Sequence, residues 1–163
     1  MEYNLPSQIV KDLNFGNEAK EKITTGVNKL ASAVKSTLGA SGKCVIYEDA
    51  MGKPVITKDG VTVADSVVLY DPVENIGATL IKEASKNTVR EAGDGTTTAI
   101  VLAQSLLETV YKNEVHISTR DIKSGIASGL KKVNEYLSEH ATPVSGSQLK
   151  NVSTISCNND AEL

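Results

Sequence analysis

The residues best suited to chemistry are two glycines, an aspartate and three threonines in the run GDGTTT at positions 93–98. The run lies between two predicted helices, so its threonines open the second one. Backbone N–H groups at a helix N-terminus carry partial positive charge and bind phosphate well. The glycines let a ligand approach the backbone, and the hydroxyls add hydrogen-bond donors. Asp94 is a hard oxygen ligand of the kind that Mg²⁺ takes together with substrate phosphates. The run therefore predicts a site for phosphate and Mg²⁺.

A structural role is the alternative for this run: Asp94 would cap the second helix, and the threonines would be exposed in its first turn. Three successive β-branched residues are a poor choice for starting a helix, which weighs against that alternative. The run is not a P-loop, because the pattern G-x4-G-K-[ST] does not occur in the chain. It also fails the dinucleotide fingerprint G-x-G-x-x-G, since Thr98 stands at the third glycine.

Two more loops carry residues that can reach a phosphate. Residues 37–42, TLGASG, follow a predicted helix and are small; an ordinary helix end followed by a turn is the alternative. Residues 57–60, TKDG, end a predicted hairpin. There Lys58 can neutralise phosphate and Asp59 can orient a water or bind a metal, while a solvated turn is the alternative.

With all three loops present, the sequence resembles the GroEL-type (group I) chaperonins. The resemblance covers about residues 13–163, and its motifs occur in the order of that family. The motifs are FGN at 15–17, ITKDGV at 56–61, GDGTTT at 93–98, VLAQ at 101–104 and TIS at 154–156, the last with Asn158 and Asp160 behind it.

The resemblance implies an ATP site assembled from the three loops. Asp94 would bind Mg²⁺, and Asp59 would be catalytic by positioning the attacking water. Lys58 would lie near the phosphates and a monovalent cation, so the expected cofactors are ATP, Mg²⁺ and K⁺. Ala40 stands where the family usually has proline, which frees that loop. The nucleotide-binding residues implied are Thr37, Leu38, Gly39, Ala40, Lys58, Asp94, Gly95, Thr96, Thr97 and Thr98.

The resemblance also implies the fold class and the domains. We expect a mainly α protein, with chaperonin equatorial-domain helices and a β-hairpin at about 43–57, followed by the start of an α/β intermediate domain. Residues 1–140 would form the N-terminal half of the equatorial ATP-binding domain, and residues 141–163 the truncated start of the intermediate domain. The apical domain is absent, so we expect an incomplete subunit.

By the same resemblance, we expect an ATP-hydrolysing chaperonin subunit that assists the folding of non-native polypeptides. Such subunits form a double ring of identical chains under a co-chaperonin lid. The alternative is a non-catalytic, truncated equatorial module that binds chaperonin rings or interferes with them. An unrelated small phosphotransferase is a weaker alternative, because only Arg90 and Arg120 are present to serve its phosphate.

Helices and one hairpin must position these loops. Apolar residues recur every three or four positions at 17–38, which predicts an amphipathic helix with Asn17 as its cap. Asp71 followed by proline predicts the start of a second helix, which extends over residues 72–92. The predicted inward residues are Ala19, Ile23, Val27, Leu30, Val34 and Leu38 in the first helix, and Val73, Ile76, Leu80 and Ala84 in the second.

Further along, helices are predicted at about 96–112 and from Ser118 or Thr119 onward. Residues 60–69 are ambiguous between a strand and a short helix. Residues 142–147 are rich in Pro, Gly and Ser, which indicates a domain boundary, and a short helix or strand follows. The predicted inward residues are Ala99, Ala103, Leu106 and Val110, then Ile122, Ile126, Leu130, Val133 and Leu137.

Composition sets the class of protein. The chain has 163 residues, 17 basic and 20 acidic side chains and 40% hydrophobic residues, as in soluble globular proteins. With a net charge of −3, the chain lacks the excess of basic residues that is typical of nucleic-acid-binding proteins, so no nucleic-acid partner is expected. The longest apolar run, at 99–103, is far shorter than the roughly 20 residues that span a membrane, so no membrane partner is expected. Two distant cysteines and the lack of a secretory signal pattern favour a cytoplasmic location.

Overall fold

The computed structural model describes residues 13–39, 41–112 and 117–157. Within these ranges the chain forms six helices and one two-stranded sheet, so the predicted mainly α fold with a hairpin is confirmed. The elements are α1 (Gly16–Lys35), β1 (Val45–Glu48), β2 (Pro54–Thr57), α2 (Gly60–Ser66), α3 (Pro72–Ala92), α4 (Thr96–Lys112), α5 (Thr119–His140) and α6 (Ser147–Ser156).

Helices α1 to α4 pack together and form the core bundle. Its centre is aliphatic, and α1 contributes the largest share of the buried side chains. An amide hydrogen bond of 2.9 Å from Gln104 to Asn28 ties α4 to α1 at the edge of this core. The buried core residues are Val27, Leu30, Ala31, Val34, Val63, Ala64, Ala78, Ile81 and Ile100.

Two glycines bring α1 and α3 into backbone contact. A β-carbon on Gly26 would overlap the carbonyl oxygen of Glu74, and one on Gly77 would overlap the carbonyl oxygen of Ile23. The Lys29 ammonium forms an ion pair of 2.5 Å with the Glu74 carboxylate beside this crossing. The absence of two side chains therefore sets the distance between the two longest helices of the core bundle.

The hairpin is confirmed near its predicted bounds. β1 and β2 pair antiparallel, with Val45 opposite Thr57 and Glu48 opposite Pro54. The Asp49 carboxylate accepts hydrogen bonds from the N–H groups of Met51 and Lys53, which fixes the turn between the strands. Because β2 leads directly to α2, the hairpin delivers the 57–60 loop to the core bundle.

The first helix is shorter than predicted. α1 ends at Lys35 because the next N–H groups donate to carbonyls three residues earlier instead of four, that of Thr37 at 3.0 Å and that of Leu38 at 3.2 Å. Its start also differs: Asn17 lies inside the first turn, and the N-cap is Phe15, with no side-chain hydrogen bond. The chain therefore leaves the α-helix in a tighter turn, which leads into the 37–42 loop.

The predicted inward faces of α3 and α4 are partly wrong. Helix α3 runs from Pro72 to Ala92 as predicted, but it buries Gly77, Ala78, Ile81 and Ser85 beside Val73, while Ile76 and Leu80 are exposed. The close crossing with α1 accounts for this, because only small residues fit where the two backbones touch. On α4 the buried aliphatic residue is Ile100, and Leu106 is half exposed.

Helices α5 and α6 lie outside the core bundle. Ser118 caps α5 as predicted, its hydroxyl accepting the N–H of Asp121 at 3.1 Å, but α5 buries none of its residues. The ambiguous segments after residues 60 and 147 are both helical, as α2 and α6. The predicted cap at Asn158 and Asp160 lies outside the described residues. No helix in the ranges that the structure describes is long and apolar enough to cross a membrane.

Candidate functional site

Gly60 brings two of the candidate loops together. It opens α2 at the end of the 57–60 loop, and a β-carbon on it would overlap the hydroxyl oxygen of Thr97 in the first turn of α4. The same β-carbon would lie 3.4 Å from a methyl carbon of Val34, in the last turn of α1. The end of α1 and the starts of α2 and α4 therefore adjoin, and all three candidate loops leave the core bundle at the same end.

Asp59 is the N-cap of α2. Its carboxylate accepts hydrogen bonds from the Thr62 N–H at 2.8 Å, the Thr62 hydroxyl at 2.5 Å and the Val61 N–H at 3.4 Å. Partial burial disfavours the charged form, but these hydrogen bonds outweigh that effect and lower the pKa of Asp59 below its ordinary value. The side chain is thus held ionised and in one orientation at the start of α2.

Asp94 stands between two glycines whose backbones are left-handed. Gly93 has a φ of 78° and Gly95 a φ of 95°, a region that residues with a β-carbon rarely adopt. One carboxylate oxygen of Asp94 accepts the Gly95 N–H at 2.6 Å, and the other accepts the Ser156 hydroxyl at 2.8 Å. Neither bond caps α4, so the interpretation of Asp94 as a helix cap is wrong.

The N-terminus of α4 is open. Where α2, α3 and α5 have a side chain that caps their first N–H groups, no side chain of the described residues caps Thr96, Thr97 or Thr98. Their hydroxyls make no hydrogen bond within those residues either. Thr96 is buried, with 6% of its surface exposed, Thr97 is half-buried against Gly60, and Thr98 is exposed. The first turn of α4 therefore offers free donors for an anion.

The 37–42 loop folds back on the end of α1. The Thr37 hydroxyl donates to the Val34 carbonyl at 2.8 Å, and a β-carbon on Gly42 would overlap the carbonyl oxygen of Thr37. Leu38 is nearly half exposed, and Gly39 beside it is exposed. Of the predicted nucleotide-binding residues here, Ala40 lies outside the described residues. The loop can approach a ligand with its backbone, whereas the Thr37 hydroxyl is already used as a donor.

Lys58 is exposed between β2 and α2, and its ammonium makes no ion pair with any described residue. It is therefore available to an anionic ligand. Sequence reasoning gave no role to Gly60, Gly42 or Ser156. The two glycines act through the absence of a side chain, and a sequence pattern does not reveal which backbone will pass there. Ser156 belongs to the TIS motif, which is a signal for the family and not for this contact.

The donor set suits a phosphate chain with Mg²⁺. The exposed carboxylate of Asp94 is a hard oxygen ligand, and each of its oxygens keeps lone pairs beyond the bond that it accepts. No group of three His, Cys, Asp or Glu side chains gathers in the part of the chain that the structure describes. That fits Mg²⁺, which usually takes one or two carboxylates and completes its shell with phosphate oxygens and water.

Comparison with known proteins places this chain in a family. Residues 30–162 match the TCP-1/cpn60 chaperonin family. Among solved structures, the chain is similar to the chaperonin gp146 from the bacteriophage EL 2 (Pseudomonas aeruginosa), determined in the presence of ATP-BeFx in two crystal forms. The gp146 structure in crystal form I is 30% identical in sequence to this chain, with a TM-score of 0.77, and the match covers 91% of this chain and 27% of gp146. Form II is also 30% identical, with a TM-score of 0.75 over 89% of this chain and 26% of gp146.

This chain therefore spans about a quarter of the length of gp146. The family match takes in well over half of the chain. The resemblance to GroEL-type chaperonins that the three loops predict is thus confirmed, and the protein belongs to the TCP-1/cpn60 chaperonin family.

Proposed function

We propose that this chaperonin subunit binds ATP with Mg²⁺ where its three candidate loops meet, and that it hydrolyses ATP as part of a complete subunit. In that role it works in the cytoplasm, in a double ring of identical subunits closed by a co-chaperonin lid, and it assists the folding of non-native polypeptides. Support for the nucleotide comes from gp146, a relative whose structure was determined in the presence of ATP-BeFx.

The open N-terminus of α4 beside the Asp94 carboxylate is the observation that carries this proposal. The N–H groups and hydroxyls of the three threonines, which have no hydrogen-bond partner among the described residues, attract phosphate oxygens through the positive end of the helix. Asp94, two residues earlier than Thr96, supplies the negative oxygen that a divalent ion needs. Phosphate and cation ligands thus stand side by side, as a Mg²⁺-nucleotide requires.

The other predicted residues have complementary roles in this proposal. Lys58 neutralises phosphate charge, and K⁺ binds near it. The 37–42 loop supports the nucleotide through the backbone of Thr37, Leu38 and Gly39, with Ala40 following. Bound Mg²⁺ would neutralise the charge that develops on the phosphate oxygens.

Asp59 positions the attacking water and does not serve as a strong base. Its lowered pKa means that it is ionised at neutral pH and holds protons weakly. In phosphoryl transfer to water, positioning and charge neutralisation do most of the work, so a fixed carboxylate acceptor is sufficient. The hydrogen bonds from Thr62 supply that fixed orientation.

Asp94→Asn tests the proposal, with Glu83→Gln as the control. Glu83 is an exposed carboxylate on α3, outside the three loops. ATP binding to the 163-residue chain is measured by calorimetry, once with Mg²⁺ and once with EDTA. We expect Mg²⁺ to tighten ATP binding in the wild type and in Glu83→Gln. In Asp94→Asn, the affinity for ATP in the presence of Mg²⁺ should be at least about tenfold lower. Equal Mg²⁺ dependence in all three proteins would contradict the proposal.

A second candidate is a module that joins or disturbs chaperonin rings without turnover. The exposed apolar stripe of α5 favours it, because Leu130, Val133 and Leu137 are each more than half exposed. Size-exclusion chromatography with an intact chaperonin decides between the two. Elution together with the ring, without any ATP binding by the chain, would support the second candidate.

A further inference from the structure

Ser156 connects α6 to the candidate Mg²⁺ ligand. Its hydroxyl donates to the carboxylate of Asp94 at 2.8 Å, although the two residues are 62 positions apart in the chain. Asp94 belongs to the loop that opens α4, and Ser156 is the last residue of α6. No role is assigned to Ser156 by the proposed ATP site.

The direction of this hydroxyl is not the usual one for a helical serine. Ser66 and Ser85 each donate to a carbonyl three residues earlier, which satisfies the hydroxyl within its own turn. A hydroxyl has one proton to donate, and Ser156 gives it to Asp94 in another element. The bond therefore competes successfully with the local alternative.

Little else holds the end of α6 in place. Val152 and Ile155 face Ala92 and Gly93 across an open cleft of about 570 Å³, and both remain more than half exposed. Among the described residues, the bond to Asp94 is the only side-chain hydrogen bond from α6 to another element. Elements with so few contacts open at low free energy, so loss of this one bond can change the position of α6.

We infer that Ser156 is a positioning residue for Asp94, and that cation binding at Asp94 is thereby linked to the position of α6. The inference rests on the proposed function of Asp94. A partner that holds one oxygen of a ligating carboxylate orients the other lone pairs, and its removal typically lowers metal affinity about 10- to 100-fold. Linkage is reciprocal, so if the Ser156–Asp94 bond strengthens cation binding, the bound cation must strengthen this bond and thereby order α6.

Ser156→Ala tests the inference, with Ser156→Thr as rescue and Ser153→Ala as the matched control. Ser153 is an exposed serine of the same helix, and its hydroxyl makes no bond to Asp94. ATP affinity of the 163-residue chain is measured by calorimetry at a series of Mg²⁺ concentrations. The quantity compared is the Mg²⁺ concentration at which half of the full gain in ATP affinity is reached. We expect Ser156→Ala to raise it about tenfold or more, while affinity for ATP in EDTA stays the same. Ser156→Thr and Ser153→Ala stay within about twofold of the wild type.

Hydrogen exchange gives a second readout that does not depend on activity. Mg²⁺ with ATP should slow amide exchange in α6 of the wild type and of Ser156→Thr, but not of Ser156→Ala. Circular dichroism verifies that Ser156→Ala is folded.

The outcomes separate the two proposals. If Asp94→Asn loses the Mg²⁺ dependence and Ser156→Ala keeps that of the wild type, the inference is overturned and the proposed function stands. If the wild type shows no Mg²⁺ dependence at all, both are overturned. A loss in Ser156→Ala that Ser156→Thr fails to restore also overturns the inference, because it means that packing and not the hydroxyl matters.

Discussion

Helices α1 and α5 carry the same kind of apolar stripe and lie in opposite environments. On α1 the stripe is buried, and Leu30 and Val34 are 0% exposed. On α5 it is open, with Leu130 58% and Leu137 56% exposed. Both stripes repeat every three or four residues, so both predict an inward face equally well. The period of a helix shows which face is apolar, but it does not show whether the same chain supplies a partner.

Glycines show the same contrast. Gly26 on α1 and Gly77 on α3 lie where two backbones touch, and neither has room for a β-carbon. Gly125 and Gly129 on α5 have no atom of another described residue within 4 Å of the place where a β-carbon would be. A glycine inside a helix costs roughly 0.5–1 kcal/mol relative to alanine. In the core bundle the close crossing offsets that cost, whereas no described residue offsets it on α5.

The largest expected effect comes from Gly26→Ala. The new methyl group cannot coexist with the carbonyl of Glu74, so α1 and α3 must separate along the crossing that contains most of the core. We expect a loss of more than about 3 kcal/mol in the free energy of unfolding, measured by urea denaturation. Ser32→Ala, at an exposed position of the same helix, should change it by less than about 0.5 kcal/mol. A stable Gly26→Ala protein would refute the backbone contact.

A matched pair of leucine substitutions compares the two stripes directly. Leu30→Ala removes a fully buried side chain and leaves a cavity, so we expect a loss of about 2–5 kcal/mol. Leu130→Ala removes a side chain that is mostly in water, and we expect a change within about 0.5 kcal/mol. Both are measured by urea denaturation at neutral pH. Equal losses in the two variants would show that α5 packs on the core bundle in solution.

The contrast explains how much of the fold the sequence could predict. Caps are local, so Asp71 with its proline and the glycine after Ala92 lead to correct bounds for α3, and the hairpin lies near its predicted bounds. Which face of α3 is buried does not depend on local sequence alone. Large apolar residues at Ile76 and Leu80 suggest one face, but the close approach of α1 selects the neighbouring face with Gly77 and Ala78.

The candidate site follows the same division. The 93–98 and 57–60 loops are recognisable because their residue types suit phosphate and metal chemistry by themselves. Their meeting at Gly60 and Thr97 depends on how four helices pack, so the sequence predicts it only through the family resemblance. The Ser156–Asp94 bond joins residues 62 positions apart and has no signal in the spacing of residues.

Helix caps extend the comparison at a smaller scale. Asp59→Ala removes the cap of α2, which packs in the core bundle, so we expect a loss of about 1 kcal/mol in global stability at pH 7. Ser118→Ala removes the cap of α5 and should leave the urea midpoint unchanged, because α5 can fray without opening the core. Urea denaturation measures both variants. A fall in the midpoint of Ser118→Ala would mean that α5 unfolds together with the bundle.

The Asp59 cap also depends on pH. Its folded pKa lies below the ordinary value of 3.8, so the folded chain binds this proton less readily than the unfolded chain. The stabilisation by Asp59 is therefore complete above the ordinary pKa and is lost as the pH falls through the folded pKa. We expect the stability difference between wild type and Asp59→Ala to shrink in acid. A difference that stays constant down to pH 3 would contradict the charged cap.

The smallest expected effect has the opposite sign to the largest, for the same chemical change. Gly129→Ala adds a methyl group to α5 where no neighbour among the described residues lies within 4 Å, so the helix gains propensity without overlap with them. We expect α5 alone to be stabilised by about 0.5–1 kcal/mol, seen as slower amide exchange in residues 119–140 and an unchanged urea midpoint. If Gly129→Ala instead lowers the midpoint as Gly26→Ala does, a closely packed neighbour must cover α5 in solution. Whether an added methyl group stabilises or destabilises a helix thus distinguishes a helix that is closely packed against a neighbour from one that is exposed.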